Sequence, residues 1–285
     1  MPRLSIIVVT YNSSGRIDAC LDALARHPSH ADCETVVVDN ASPDGTAAAV
    51  RRRWPMVRVI EAGTNAGFAS ANNIGIRQTS GPCVLLLNPD TEVRAGSLDT
   101  LLGVLDRRPD AAIVGPRLVD QRGRAELSFG SMIGPFAELG QKLLVRGSQR
   151  GLPVLRGYVS RLTRRTREVD WVSGACLLVR RADAEAVGLM DERYFMYAED
   201  VDFCAAIRAR GRKVLFTPEA EIVHIRGQSA ASVPRATEAA YRRSQLAFYE
   251  KHHPRWVPVL RAYLKLRGRL PDMPIDPPRP GHEPS

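Results

Sequence analysis

Apolar and polar positions alternate in two rhythms over the first third of the chain. Leu4–Thr10 is an almost unbroken apolar run, which predicts a buried strand. Ile17, Cys20, Leu21 and Leu24 then fall at i, i+3, i+4 and i+7, the inward face of a helix. Residues 35–38 predict a second strand ending at Asp39-Asn40, and Ser42-Pro43-Asp44 predicts a helix start with Ser as N-cap and Pro at the first helical position. Residues 57–60 read as a third strand, and residues 67–78 as a helix with Phe68, Ala71 and Ile74 on one side. Cys83–Leu87 is a fourth strand, followed by the helical face Leu98, Leu101, Leu102, Leu105. Strands alternating with helices of this length predict βαβ units, hence an α/β fold with a mostly parallel sheet flanked by helices.

After residues 111–114 the rhythm breaks. Residues 118–129 predict a hairpin turning at Asp120-Gln121-Arg122-Gly123, and residues 130–168 predict a long basic loop. A strand is expected over 169–179, passing through Ser173-Gly174-Ala175, then a helix from about Glu199 and short strands at 214–216 and 221–224. Residues 235–270 predict a basic helical extension carrying Tyr241, Phe248, Tyr249, Trp256 and Tyr263, and the Pro-rich tail from Pro271 predicts disorder.

Composition adds two constraints. A net charge of +9 and a pI near 9.7 call for an anionic partner: nucleic acid, anionic lipid or a phosphorylated substrate. The cations gather in the 142–167 segment and the C-terminal helices without a recognition-helix or RRM signature, which argues against nucleic acid. Five scattered cysteines, none in a CxxC pair, read as buried thiols and suit a cytoplasmic compartment. The N-terminal apolar run is too short for a signal-peptide core, and no stretch has the ~18 apolar residues of a membrane span.

The chemistry collects at strand ends. Asn88-Pro89-Asp90 closes the most apolar strand with a turn and a carboxylate, at the edge where open α/β sheets bind ligands. Asp39 ends the second strand, where an acid either forms a turn or accepts hydrogen bonds from a base or ribose. Asn65-Ala66-Gly67, with Asn72, makes a small-residue turn before a helix, suited to close packing or to donors near a phosphate. Glu199, Asp200 and Asp202 open a helix behind Phe195-Met196-Tyr197; three acids in four positions exceed what capping requires, and Asp200 suits a general base. His224 could add a nitrogen ligand beside Asp90, its other ring nitrogen fixed by a further partner.

Taken together, SIIVVTYN, VVVDNASPDGT, NAGFASANNIG, LLLNPDTEV, WVSGACLLVRR, FMYAEDVDFC and HIRGQS resemble, in order, the motifs of family 2 glycosyltransferases of GT-A fold, and most closely the bacterial rhamnosyltransferase-like members. The resemblance implies a GT-A domain over 1–230, with a nucleotide-sugar half (1–115) and an acceptor half (116–230), followed by the helical extension 231–270 and the tail 271–285. It implies inverting sugar transfer from a nucleotide-diphosphate donor, with Thr10, Tyr11, Asn12, Asp39, Asn65, Gly67, Asn72, Asn88 and Asp90 on the donor side. Asp90 and His224 would hold Mg²⁺ or Mn²⁺, Asp200 would be the base with Glu199 beside it, and Trp171, Ser173, Gly174 and Ala175 would line the acceptor. dTDP-rhamnose is the donor it implies, with UDP- or GDP-sugars as alternatives and a non-catalytic nucleotide-sugar-binding protein as the rival reading. A glycan or lipid-diphosphate-linked acceptor would follow, with an anionic membrane surface and a homodimer as further partners. Asn88 stands where the family's DxD element has its first Asp, which leaves Asp90 as the only carboxylate of that element.

Overall fold

The computed structural model describes residues 1–134, 152–225 and 234–271, with three isolated positions between them. The expected tail from 272 on, most of the 135–151 loop and the Arg226–Ser229 part of HIRGQS lie outside the described residues.

The first half follows its apolar rhythm closely. Strands β1 (Leu4–Thr10), β2 (Cys33–Asp39), β3 (Arg58–Glu61) and β4 (Cys83–Leu87) run parallel in the order β3-β2-β1-β4, with Thr10 opposite Asp39 and Val8 opposite Leu87. Helices α1 (Ile17–Arg26), α2 (Thr46–Arg53), α3 (Phe68–Arg77) and α4 (Ser97–Arg107) connect them and the short β5 (Thr91–Val93). One helix start moves: α2 begins at Thr46 behind left-handed Gly45, not at Ser42. The Asp44 carboxylate takes the Thr46 and Ser14 N–H groups, and Ser42 Oγ takes the N–H of Asn12, so this turn braces the β1 loop instead of capping a helix.

The second half inverts part of the sheet. β6 (Ala111–Val119) pairs antiparallel with β10 (Cys176–Arg180), which also runs antiparallel to β4, and parallel with β11 (Lys213–His224). The two strands expected at 214–216 and 221–224 are one, broken in register between Thr217 and Glu221. The single strand expected at 169–179 is three: β8 (Arg167–Val169), β9 (Trp171–Val172) and β10, because Ser173-Gly174-Ala175 turns its N–H groups away from the ladder. The expected hairpin forms its turn at Asp120 and a single bridge, Val119 to Ala125. Its second arm then leaves, as buried Phe129 packs on the Phe216 ring with centroids 4.2 Å apart and β7 (Phe129–Gly130) pairs with β9. The 130–168 segment holds a helix, α5 (Pro153–Leu162), rather than loop alone.

Two apolar clusters cover the two faces of the sheet. One gathers Leu21, Val50 and Leu101 from α1, α2 and α4; the other gathers Ala71, Ala184 and Phe203 from α3, α6 (Arg181–Ala186) and α7 (Glu199–Ala209). A third, smaller core joins Tyr194 and Val201 to Leu246, Phe248, Leu260 and Leu264 of the C-terminal helices α8 (Pro234–His252) and α9 (Val257–Leu266). No described helix is long and apolar enough to cross a membrane. All five cysteines are free thiols, and Cys20, Cys83, Cys176 and Cys204 are buried.

Candidate active site

The parallel strands deliver their carboxyl ends to one edge, and β10, being antiparallel, brings its amino end to the same edge. That is why residues far apart in sequence meet there. Thr10 and Asp39 are both buried, and both keep an oxygen without a hydrogen-bond partner: Thr10 Oγ1 and Asp39 Oδ1. The other Asp39 oxygen takes the Ser42 N–H at 3.0 Å. A buried carboxylate oxygen without a donor is costly in isolation, so one at this edge suits a ligand that donates to it. Tyr11 is exposed, and Asn12 sits in the left-handed region at φ 50°.

The Asn65–Asn72 turn is built differently from a phosphate cradle. Asn65 Oδ1 accepts from Asn40 Nδ2 at 2.8 Å and from the Gly67 N–H, so that oxygen is spent within the loop. Asn72 Nδ2 donates to Phe68 O, leaving Asn72 Oδ1 buried without a partner. Gly67 has a packing role: its φ is +92°, and a Cβ there would lie 2.3 Å from the Phe195 carbonyl oxygen. That carbonyl accepts the Phe68 N–H at 2.9 Å, so the turn before α3 abuts the loop before α7.

Asn88 N–H donates to Ala175 O at 2.9 Å, which ties the β4 turn to the Ser173-Gly174-Ala175 turn. Gly174 N–H in turn donates to Asp200 Oδ2, and Val201 N–H to Asp200 Oδ1, both at 2.9 Å. Asp200 is therefore held at both oxygens. Burial raises its pKa and the two N–H donors oppose the rise. Glu199 is pushed well above the usual carboxylate range by burial and then by the Asp200 charge, and its Oε2 has no partner. Of the pair, Glu199 is raised further, so Asp200, with its N–H donors, is the first to ionise. Tyr197 and Ala198 precede them with φ near +70°, two consecutive strained residues at the mouth of α7. Trp171 donates its Nε1–H to Ser131 O, and Ser173 N–H donates to Ser128 O, which fixes the wall beside Asp200.

Asp90 lies where β5 meets the end of β11: Ile225 N–H donates to Asp90 O, and Thr91 pairs with His224. Asp90 Oδ1 is buried and accepts no hydrogen bond, with His224 Nε2 3.5 Å away. His224 Nδ1 stands 3.2 Å from Glu126 Oε2. Burial lowers the His224 pKa, but Asp90 and Glu126 together outweigh it and raise the pKa above the ordinary histidine value. Asp90 Oδ1 and His224 Nε2 thus form an ion pair when the imidazole is protonated; with the ring neutral, the same two atoms are a donor pair that fits a hard divalent cation, with substrate oxygens and water completing the shell. No cluster of three such protein ligands occurs among the described residues.

Sequence reasoning missed Glu126, which sits in the departing hairpin arm with no motif around it. It also grouped Asp202 with Glu199 and Asp200. The structure separates them: Asp202 is buried and points to α8, where Lys251 Nζ donates to Oδ2 at 2.8 Å, His252 Nε2 lies 2.6 Å from Oδ1, and Tyr194 OH donates to Oδ1 at 3.2 Å. Ser244 Oγ donates to Met196 O at 2.8 Å and the Tyr197 and Tyr241 rings meet edge-on, so α8 holds the loop ahead of Asp200.

The sheet order and this ligand edge are those of an open, mostly parallel α/β fold with its site at the carboxyl ends of the strands. The model of the family described as glycosyl transferase family 2 matches residues 5–188, and the chain belongs to that family. It is 32% identical over 94% of its length to the N-acetylglucosaminyl-diphospho-decaprenol L-rhamnosyltransferase of Mycobacterium tuberculosis, covering 92% of that protein. It is 26% identical to the dTDP-rhamnosyl transferase RfbF of Shigella flexneri, over 80% of this chain and 70% of that one. Among solved structures, a mannosyltransferase from Pyrobaculum calidifontis in complex with GDP-Man and Mn²⁺ matches 93% of this chain and 70% of that chain with TM-score 0.60 and 22% identity. The structure of GalNAc-T7 with UDP, GalNAc and Mn²⁺ matches 97% of this chain and 60% of that one, at TM-score 0.59 and 15% identity.

Proposed function

We propose that the chain transfers L-rhamnose from dTDP-rhamnose, with inversion, to a hydroxyl of a lipid-diphosphate-linked glycan in the synthesis of a cell-surface polysaccharide. The glycosyltransferase class is given by family. The donor and acceptor rest on the rhamnosyltransferase relatives, one named for a decaprenol-linked acceptor and one for a dTDP-rhamnosyl donor.

The observation that carries the mechanism is the single carboxylate of Asp200, oriented by Gly174 and Val201. The acceptor O–H gives its proton to Asp200 as its oxygen bonds to the anomeric carbon. The bond from that carbon to the diphosphate oxygen breaks on the opposite face, and its electron pair leaves with the nucleotide diphosphate. The leaving group departs as an anion and needs no proton, so one base is enough, where glycoside hydrolysis needs two spaced carboxyls. Glu199, raised by burial and by the Asp200 charge, resists adding a second negative charge beside the base. Asp39 and Thr10 present buried acceptors to the nucleoside, and Ser173-Gly174-Ala175 with Trp171 forms the acceptor wall.

Asp90 Oδ1 and His224 Nε2 fit a divalent cation, Mg²⁺ or Mn²⁺. When bound, such a cation supplies positive charge against the departing diphosphate. Glu126 Oε2, 3.2 Å from His224 Nδ1, would accept a hydrogen bond from that nitrogen's proton and so leave Nε2 free for the contact.

Asp200→Asn tests the reading. Donor binding by calorimetry should persist while transfer falls by roughly 10²–10⁴-fold. Undiminished transfer in Asp200→Asn would remove the base. A panel of nucleotide sugars tests the donor: faster turnover of a UDP- or GDP-sugar than of dTDP-rhamnose overturns that part alone.

A further inference from the structure

We propose that the outer stripe of α9 is a docking surface for an anionic phospholipid bilayer. The helix has two apolar faces. Leu260 and Leu264 point inward and are buried in the third core. Val259, Tyr263 and Leu266, at i, i+4 and i+7, form a second stripe, with exposed Trp256 just before the helix and Leu270 beyond its end. Those five side chains are 57%, 49%, 90%, 40% and 40% exposed, respectively. A soluble helix has no need of a second apolar stripe, and this one faces solvent.

Its surroundings select the occupant. Arg255, Arg261, Lys265, Arg267 and Arg269 lie along the same segment, and no Asp or Glu occurs between His253 and Pro271. Arg267 lies over the Tyr263 ring at 5.7 Å, carrying charge to the edge of the stripe. Arg261 and Arg269 reach back to Glu250 and Glu238 of α8, at 2.9 and 3.4 Å, which anchors the helix with its apolar edge outward. An isologous dimer through this face would set two cationic rims against each other. Nucleic acid would match the charge but leave Val259 and Leu266 without a partner. An anionic bilayer takes both: aliphatic and aromatic side chains enter the headgroup boundary, and the cations meet lipid phosphates. With ten residues, the helix is far shorter than the ~20 needed to span a bilayer and lies in the interface.

The docked helix would also locate the catalytic edge. α9 packs on α8, and α8 holds the loop ahead of Asp200 through Ser244 and Asp202. Docking would thus hold the cleft beside the surface on which a lipid-diphosphate acceptor is presented. That consequence rests on the proposed function; the docking itself does not.

The test is flotation of the full chain with phosphatidylcholine vesicles, with and without phosphatidylglycerol, at low and high salt. The chain should float with anionic vesicles at low salt and leave them at high salt. Val259→Glu with Leu266→Glu should abolish flotation. Arg255→Gln with Lys265→Gln, both exposed, should weaken it by roughly thirtyfold. Running every vesicle assay in the Asp200→Asn background as well keeps an inactive enzyme from counting against docking. No flotation with anionic vesicles at low salt overturns the proposal, as does flotation that neither pair diminishes. So does a dimer seen by light scattering that Leu266→Glu dissociates, which would make a second copy the occupant.

Discussion

Gly67→Ala should damage catalysis without touching a reacting atom. Gly67 has φ +92° and ψ 175°, a region open essentially to glycine alone. Any side chain there costs about 1–3 kcal/mol in backbone strain. The new Cβ would also lie 2.3 Å from Phe195 O, 2.8 Å from its Cα and 2.9 Å from its carbonyl carbon, all main-chain atoms. Relief requires the 194–198 loop to retreat by about 1 Å, since ordinary contact needs ~3.4 Å. The Phe68 N–H to Phe195 O hydrogen bond stretches with it, costing about 1 kcal/mol more. Gly63→Ala is the control: its φ is +77°, but its added Cβ has open space, so it incurs the backbone strain alone. Gly67→Ala should therefore lower the unfolding free energy by roughly 1–2 kcal/mol more than Gly63→Ala. A shift of ~1 Å ahead of Asp200 should also cut kcat by about 10²-fold, while Gly63→Ala leaves kcat unchanged. Denaturant unfolding and steady-state transfer with a fixed donor read both. Equal stability losses with an unchanged kcat in Gly67→Ala would refute the coupling of turn to catalytic loop.

Three further outcomes follow from the site. Because burial raises the Asp200 pKa, transfer should fall as pH drops through an inflection above the usual aspartate value, and Glu199→Gln should leave that acid limb in place, since Glu199 is raised further and titrates after it as pH rises; the pH profile of kcat/KM checks both. Glu126→Ala should weaken Mn²⁺ binding by about 10–100-fold, measured by water-proton relaxation or calorimetry, and a wild-type affinity would end its role behind His224. Asp202→Ala strips one acceptor from Tyr194, Lys251 and His252 at once and should cost about 3 kcal/mol; Lys251 is 31% exposed and keeps Asp191 at 2.8 Å, which holds the loss to the lower end for a broken buried pair.

The sequence could be read where local rhythm and tertiary outcome agree. β1 and β4 are continuous apolar runs that must be buried on both faces, and they appear with the expected bounds. The second half was harder because its determinants are non-local. Ser173-Gly174-Ala175 looks like strand interior until Asp200 takes the Gly174 N–H, and nothing near Gly174 in the chain announces that partner. Glu126 is one carboxylate in an unmarked loop, chosen by His224 across 98 residues. Asp202 carried a visible signal, the excess of acid at a helix start, but its partners lie 49 and 50 residues on. Periodicity reports which face is buried; it is silent on which buried polar groups find each other.

The 194–198 loop shows why so many of these partners are needed. Tyr197 and Ala198 both hold left-handed backbone, and neither is glycine or asparagine, so each costs energy that the surroundings must offset. Three independent contacts do so: Phe68 N–H on Phe195 O from the turn before α3, Ser244 on Met196 O from α8, and Gly174 N–H on Asp200 from the Ser173-Gly174-Ala175 turn. Each comes from a different part of the chain, so the strained turn is held from three directions. A general base left in a half-apolar cleft by a flexible loop would sample many positions. In the proposed mechanism, a base clamped from three sides loses little further freedom when the acceptor arrives, so position adds to the basicity that burial gives the half-buried Asp200 carboxylate.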